Sequence, residues 1–302
     1  MLAIECVSKE DTQRMFVVFE RYRQAFIQNG LDMWNMEAVG QELRCQFQGN
    51  EWEWEQSILP FFAALLTDQW IKQKEKQAMK EMLEHDYSLI DPVEQRQVMD
   101  VAIAILEGQR PDIPIHQDLE DRRTALYMEL LQQLRKGNLL SKASFFTFRT
   151  TRYKSVLDRV LAEAFKEYQM EQEYQSDVER LRTYLKTALP VINHVYGYYD
   201  GAWLFTNETG IAIDAAERNQ HLVPSLVFEQ GIPFDEMIIS PLVSIAPHTL
   251  TIHATEMTAV LKTIQAVFQE RLILKGPAAT DLPFQSSGQT QLPRGDQFQD
   301  EN

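Results

Sequence analysis

From Tyr153 to Leu185 the apolar residues recur at helical spacing over nine turns' worth of chain. Tyr153, Val156, Leu157, Val160, Leu161, Ala164, Phe165 and Tyr168 form one stripe, and Tyr174, Val178, Leu181, Tyr184 and Leu185 form a second. An apolar helical stripe is stable in water only when other elements bury it, so this stretch demands packing partners on both sides of it in sequence. The register falters at residues 170 to 173, which leaves one helix or two open.

The segments that precede it supply partners. Residues 2 to 7 alternate weakly, and Ser8-Lys9-Glu10-Asp11 then caps a helix carried by Met15, Phe16, Val18, Phe19, Tyr22 and Phe26 and ending near Asn29-Gly30. Leu43, Cys45 and Phe47 alternate with polar residues up to Gly49-Asn50, a short strand, so a small βαβ-like unit is expected. From Glu51 to Lys136 the pattern is helical, with Ile58, Phe61, Phe62, Leu65 and Leu66 on one stripe and Met79, Met82 and Leu83 on a later one. Asp91-Pro92-Val93-Glu94 starts one helix that should stop at Gly108. Residues 109 to 114 read as a linker, and Asp118 to Lys136 as a further helix closed by Gly137-Asn138.

Downstream, Ser144 to Arg149 is a short β-like run ahead of the long helical pattern. Val191 to Tyr199 and Ala202 to Thr206 flank Asp200-Gly201, a two-residue hairpin signal, and Asn207-Glu208-Thr209-Gly210 makes another turn. Helical segments follow near 215 to 230 and 234 to 245, the second disturbed by Pro241, which has no backbone donor. Thr249 to His253 reads as a strand and Thr255 to Leu274 as a last helix. Beyond Gly276 the chain is rich in Gln, Ser, Gly and Pro, with four acids against one base, the composition of a disordered tail.

Composition excludes several classes of function. With 302 residues and 44% hydrophobic content the chain can bury a sizeable core. A net charge of -15 repels phosphate backbones and anionic lipid, so no nucleic-acid role is expected; the most basic stretch, Arg149 to Lys154, is followed by acidic helix. Cys6 and Cys45 are far apart, fit neither a zinc site nor a disulfide framework, and suit small buried hydrophobes in a reducing compartment. The first residues lack a signal-peptide pattern, and the densest apolar run, Ile58 to Leu66, falls far short of the roughly 20 residues that span a bilayer. No secretion and no membrane insertion are expected, and the location read is cytoplasmic.

Four segments carry a family resemblance. Phe146-Thr147-Phe148-Arg149-Thr150-Thr151-Arg152-Tyr153 resembles an FxFRxxxY pattern. Glu173-Tyr174, Leu181 with Tyr184, and His194-Val195 follow in the matching order. Asp235 to Pro247, then Thr249 to His253, resembles DLLISxLITIAPxxIxIH. Thr263-Ile264 with Val267-Phe268-Gln269-Glu270-Arg271 resembles TIxxVFxxR. Together they cover about residues 144 to 274, and the chain thereby resembles the YtxC-like family. The resemblance implies endospore formation as the setting and brings no catalytic mechanism with it. Pro241 departs from the pattern, and so does Lys275-Gly276-Pro277, where family members often carry a short cysteine-rich end; no thiol or metal role transfers.

Several groups have the side chains for chemistry. Glu81 and His85, one helical turn apart, could offer two ligands to a metal but have no matching pair, and read better as a solvated face. The row Glu163, Glu167, Glu171 reads as an exposed acidic face opposite the apolar stripe. His194, His253, Asp200 and Asp214 lie on or beside strands of one region and could converge as acid and base. The simpler reading gives Asp200 to its turn, Asp214 to a helix cap and His253 to a strand end. Ser240 and Ser244 lack a nucleophile-elbow context and read as packing residues. Tyr196, Tyr198, Tyr199 and Trp203 could form a stacking platform, against which half-buried cross-strand pairs are the plainer account. No phosphate-binding glycine loop is present, and Arg149 and Arg152 are expected to pair with the acidic helix that follows.

The reading is therefore an α+β protein: a small N-terminal α/β unit plus helical bundle over residues 1 to 140, an α/β region with a β-hairpin over 141 to 275, and the tail over 276 to 302. The function expected is that of a non-catalytic cytoplasmic interaction protein in endospore formation, with a protein partner, no cofactor, no metal and no catalytic residues assigned. A hydrolase-type site near His194, Asp200 and His253 is the alternative. The oligomeric state is left open.

Overall fold

The computed structural model describes residues 1–28, 34–113, 121–229, 232–233 and 236–276. The helix end expected near Asn29-Gly30, the helix start at Asp118 and the tail beyond Gly276 lie outside the described residues. The protein is α+β, with two small mixed sheets among its helices. Its two compact units run from Met1 to Glu171 and from Gln172 onward.

In the first unit the sheet order is β2-β3-β1-β4, from β1 (Leu2–Glu5), β2 (Trp34–Val39), β3 (Glu42–Phe47) and β4 (Leu139–Ser141). Leu2 lies opposite Cys45 and Ile4 opposite Leu43, all four buried. The expected βαβ unit is not formed, because β1 and β3 are antiparallel; the parallel neighbour of β1 is the distant β4. Between them, α1 (Lys9–Gln28) returns the chain into the β2–β3 hairpin, whose turn holds Gly40 at φ 64°. β2 gave no strand signal because only Trp34 of its six residues is buried.

The helices of this unit are α2 (Glu51–Glu53), which runs through a π turn at Trp54–Ile58 into α3 (Leu59–Gln73), then α4 (Glu75–Asp86), α5 (Pro92–Leu106), α6 (Arg122–Lys136) and α7 (Lys142–Phe148). Start and stop chemistry is explicit at α5: Asp91 Oδ1 accepts from the N–H of Val93 and Glu94 at 2.8 and 3.0 Å, and Gly108 leaves the helix at φ 72°. The expected β-like run at Ser144 to Arg149 is instead helix α7. Phe145 and Phe146 are both buried, and Thr147 and Thr150 donate their hydroxyls back to the carbonyls of Ala143 and Phe146, four residues earlier in each case, as helical backbone allows.

One continuous helix, α8 (Thr151–Thr187), carries the long apolar pattern. Tyr153, Leu157, Val160, Leu161 and Ala164 join the first core, Val178, Leu181 and Leu185 join the second, and residues 169 to 173 between them are exposed. The boundary read after Leu140 therefore falls inside the first unit, because β4, α7 and the first turns of α8 all pack there.

The second unit holds β5 (His194–Tyr199), β6 (Trp203–Asn207), α9 (Ala215–Gln220), a 3-10 turn at Pro224–Leu226, α10 (Ile239–Ile245), β7 (Thr249–Ala254), α11 (Ala259–Phe268), a 3-10 turn at Gln269–Arg271 and β8 (Leu272–Lys275). The sheet order is β6-β5-β7-β8, antiparallel in the hairpin and parallel elsewhere. The hairpin pairs Tyr199 with Trp203, so its loop is Asp200 to Ala202, three residues with Gly201 at φ 77°. The segment read as helix from 215 shortens to α9 and the 3-10 turn. The last segment is not one helix to Leu274: α11 stops where Gln269 takes φ 45°, and Leu272-Ile273-Leu274 becomes a parallel edge strand. Pro241 lies in the first turn of α10, where no intrahelical donor is needed, so it opens the helix rather than disturbing it.

Candidate functional site

At the junction of α7 and α8 the FxFRxxxY residues point in opposite directions. Phe146 is buried and stacks on Trp70 at 8° between ring planes. Tyr153 is buried and donates its hydroxyl to Glu75 Oε2 at 2.9 Å. Phe148 is 75% exposed, and Arg149 is exposed beside it. With Met128, Glu129, Gln132, Gln133 and Lys136 of α6 and with Thr151 and Arg152, these two line a concavity of about 460 Å³. Glu129 Oε1 accepts the backbone N–H of Arg152 at 2.8 Å, an acid placed on the positive end of α8. The guanidinium of Arg149 makes no ion pair with α8; neither it nor the ammonium of Lys136 has a hydrogen-bond or ion-pair partner among the described residues.

Behind Tyr153 lies a buried polar clamp. Arg122 Nε donates to both oxygens of Glu75 at 3.1 Å and its Nη1 to the carbonyl of Leu106 at 2.9 Å. Burial pushes the Glu75 carboxyl above its ordinary value, against the pull of Arg122, and burial with Glu75 alongside pushes the Tyr153 phenol up. This clamp ties α4, α6 and α8 together. An open groove of about 1170 Å³ runs between α3–α4 and α7–α8, and Glu81 and His85 stand on its wall. Both are exposed, and Glu81 accepts from Gln77 at 3.0 Å. Among the described residues no group of three or more His, Cys, Asp and Glu is placed to hold a metal ion. In the acidic row of α8, Glu167 pairs with Arg110 at 2.9 Å and Glu163 with Lys166 at 3.8 Å, so the row is not gathered around one point.

The second sheet separates the remaining candidates by strand alternation. Val195, Phe205, Leu250 and Ile252 face the core with α8, α10 and α11, while the register puts His194, Tyr196, Tyr198, Thr251 and His253 on the other face. His194 Nε2 lies 2.9 Å from Thr251 Oγ1, and its ring stacks on Tyr196 at 4.4 Å. His253 Nδ1 lies 3.2 Å from the carbonyl of Gly276, which requires the proton on that nitrogen, and its ring stacks on Tyr198 at 5.2 Å. Register places His194 beside Thr249, four residues before His253, so the two imidazoles are about 13 Å apart along the strands. Among the described residues no hydrogen bond or ion pair joins Asp200 to either ring. Asp214 accepts the N–H of Glu217 at 2.7 Å as the cap of α9. The four-ring platform is divided: Tyr196 and Tyr198 lie on one face, while Tyr199 and Trp203 pack together on the other at 4.9 Å, with Trp203 stacked on Phe205.

Ser240 and Ser244 do more than pack. Ser240 Oγ donates to Glu229 Oε2 at 2.7 Å and accepts from the N–H of Phe228 at 2.9 Å. Ser244 Oγ donates to the carbonyl of Ser240 and accepts from the N–H of Val223. Glu229 also accepts the N–H groups of Ile238, Ile239 and Ser240 at 2.7 to 2.8 Å, so one carboxylate closes the start of α10. No spacing rule could have found Glu229, which precedes Ser240 by eleven residues. Arg218, also missed, is buried with its guanidinium 5.2 Å from the Phe205 ring centre and burial lowers its pKa.

The family model of the YtxC-like family matches residues 60–273. The chain belongs to the YtxC-like family. A protein of Bacillus subtilis (strain 168) described as "Uncharacterized protein YtxC" is 30% identical over 216 residues, 71% of this chain and 76% of that protein. No solved structure matches. The YtxC-like region opens at the first turn of α3, well before the Ser144 start seen in the sequence motifs, and so includes the clamp of Glu75, Arg122 and Tyr153. No described helix is long and apolar enough to cross a membrane.

Proposed function

We propose that this YtxC-like chain is a non-catalytic, cytoplasmic interaction protein of endospore formation, and that it holds a protein partner at the Phe148–Arg149 surface. The observation that carries the reading is the division within one family-like motif: Phe146 and Tyr153 build the core, while Phe148 and Arg149 project outward with no role in it. A large exposed aromatic beside a guanidinium that has no partner among the described residues is the composition of an interface anchor. The two cysteines, both free and buried, fit a reducing compartment such as the cytoplasm, and the sporulation setting rests on the family resemblance.

The test is affinity capture from sporulating cells of the source organism, with spore counts read in parallel. Arg149→Glu should lose the captured partner and lower spore yield, while His253→Ala should fold, capture and sporulate. A stably folded His253→Ala protein that still captures its partner but abolishes sporulation would reject the reading in favour of catalysis, since loss of a general acid or base costs about a hundredfold or more in rate.

A further inference from the structure

We infer that the concavity at the start of α8 takes an acidic segment of a partner protein, its carboxylates meeting Lys136 and Arg149 and an apolar side chain lying on Phe148 and Met128. This deepens the interaction reading above and rests on it. The first support is local charge. In a chain of net charge -15, this lining holds three cations, Lys136, Arg149 and Arg152, against the single carboxylate of Glu129. That carboxylate is already engaged by the N–H of Arg152. At physiological salt a charge is felt over only about 8 Å, so the ligand meets the local cations rather than the distant acidic surface.

Apolar exposure is the second support. Phe148 is 75% and Met128 49% exposed, and both line the same concavity as the cations. Cations alone would suit any anion; an aromatic and a thioether beside them suit a peptide that alternates carboxylates with large apolar side chains. A nucleic acid needs a longer row of phosphate contacts than this lining offers.

The experiment is fluorescence anisotropy on the full chain with a short labelled peptide of alternating glutamate and leucine, in low and in raised salt. The peptide should bind, and its affinity should fall with salt. The same peptide with glutamine for glutamate should bind about tenfold more weakly or less. Arg149→Glu and Lys136→Glu, both at exposed positions and checked for unchanged melting, should each weaken binding about fivefold or more, and Phe148→Ala should weaken it at constant salt dependence. Failure of the acidic peptide to bind overturns the inference, as does binding that neither charge reversal alters. Equal displacement by inorganic phosphate or by a single-stranded oligonucleotide also overturns it, by making the site a general anion site. If the peptide fails while capture from cells still depends on Arg149, only the partner's chemistry is wrong; if that dependence is also lost, the interaction reading falls with it.

Discussion

The carboxylate of Glu229 holds Ser240 twice, through its backbone N–H at 2.8 Å and its hydroxyl at 2.7 Å. The same carboxylate takes the N–H groups of Ile238 and Ile239, and Ser240 Oγ accepts the N–H of Phe228, so residues 228 and 229 and the start of α10 are one hydrogen-bonded object. Glu229→Ala strands those donors and should cost about 2 to 3 kcal/mol, whereas Ser240→Ala, which leaves the carboxylate its three backbone donors, should cost about 1 to 2. Urea unfolding followed at the second unit measures both. An unchanged midpoint for Glu229→Ala would show that the loop is held by something else.

The two phenylalanines of the FxFR segment should behave oppositely. Phe146→Ala empties a stacked core position against Trp70 and should cost about 3 to 5 kcal/mol. Phe148→Ala removes a side chain in water and should stay within about 0.5 kcal/mol. Thermal melts of the two variants decide it; equal losses would mean that Phe148 is packed.

Glu75 should make stability depend on pH in a particular direction. Burial holds its folded pKa above the ordinary 4.5, so the folded chain keeps that proton to higher pH than the unfolded chain. Its contribution is complete below the ordinary value and is lost as pH rises through the folded one. Glu75→Gln cannot ionise, and so its stability relative to wild type should improve as pH is raised from about 4.5 towards neutrality. Paired melts across that range test the sign, and a gap that widens with pH would show that Arg122 outweighs burial.

The thiols should be silent. Burial raises both, and Cys45 is pushed up to about 12, which leaves about one thiolate in ten thousand at pH 8. A thiol reagent should find neither in the native protein and both after unfolding. Rapid native labelling of one thiol would contradict the burial of that residue.

What could be read in advance followed from local chemistry. Helix starts at Ser8 and Asp91, the stop at Gly108, the cap at Asp214, the strand at Thr249 and the hairpin around Gly201 each announce themselves in a few adjacent residues. Wrong readings share a different cause. Phe145, Phe146 and Phe148 favour a strand by type, and tertiary burial on one side made them a helix. Leu272 to Leu274 continue a helical apolar pattern, and only the turn at Gln269 and the open edge of β7 make them a strand. β2 buries one residue of six and so has no pattern to read. At the candidate site, Arg149 was visible by its charge, but its concavity needed Lys136 and Met128 from another helix, and no separation in sequence predicts that meeting.

The continuous α8 carries a run of exposed helix between the residues that join the first core and those that join the second. From residue 169 to 173 every side chain is exposed and none joins a hydrophobic core, while the turns before and after are anchored by Leu161 and Ala164 or by Val178 and Leu181. Opening that turn costs the release of a few backbone bonds to water and no buried area. Deuterium should therefore enter the middle of this helix faster than its flanking turns, and within α8 a protease should cut there first. In an ordinary two-part protein such a breach opens in a loop between elements; here it opens within the longest helix, and every hydrogen bond needed to close it again is already in register.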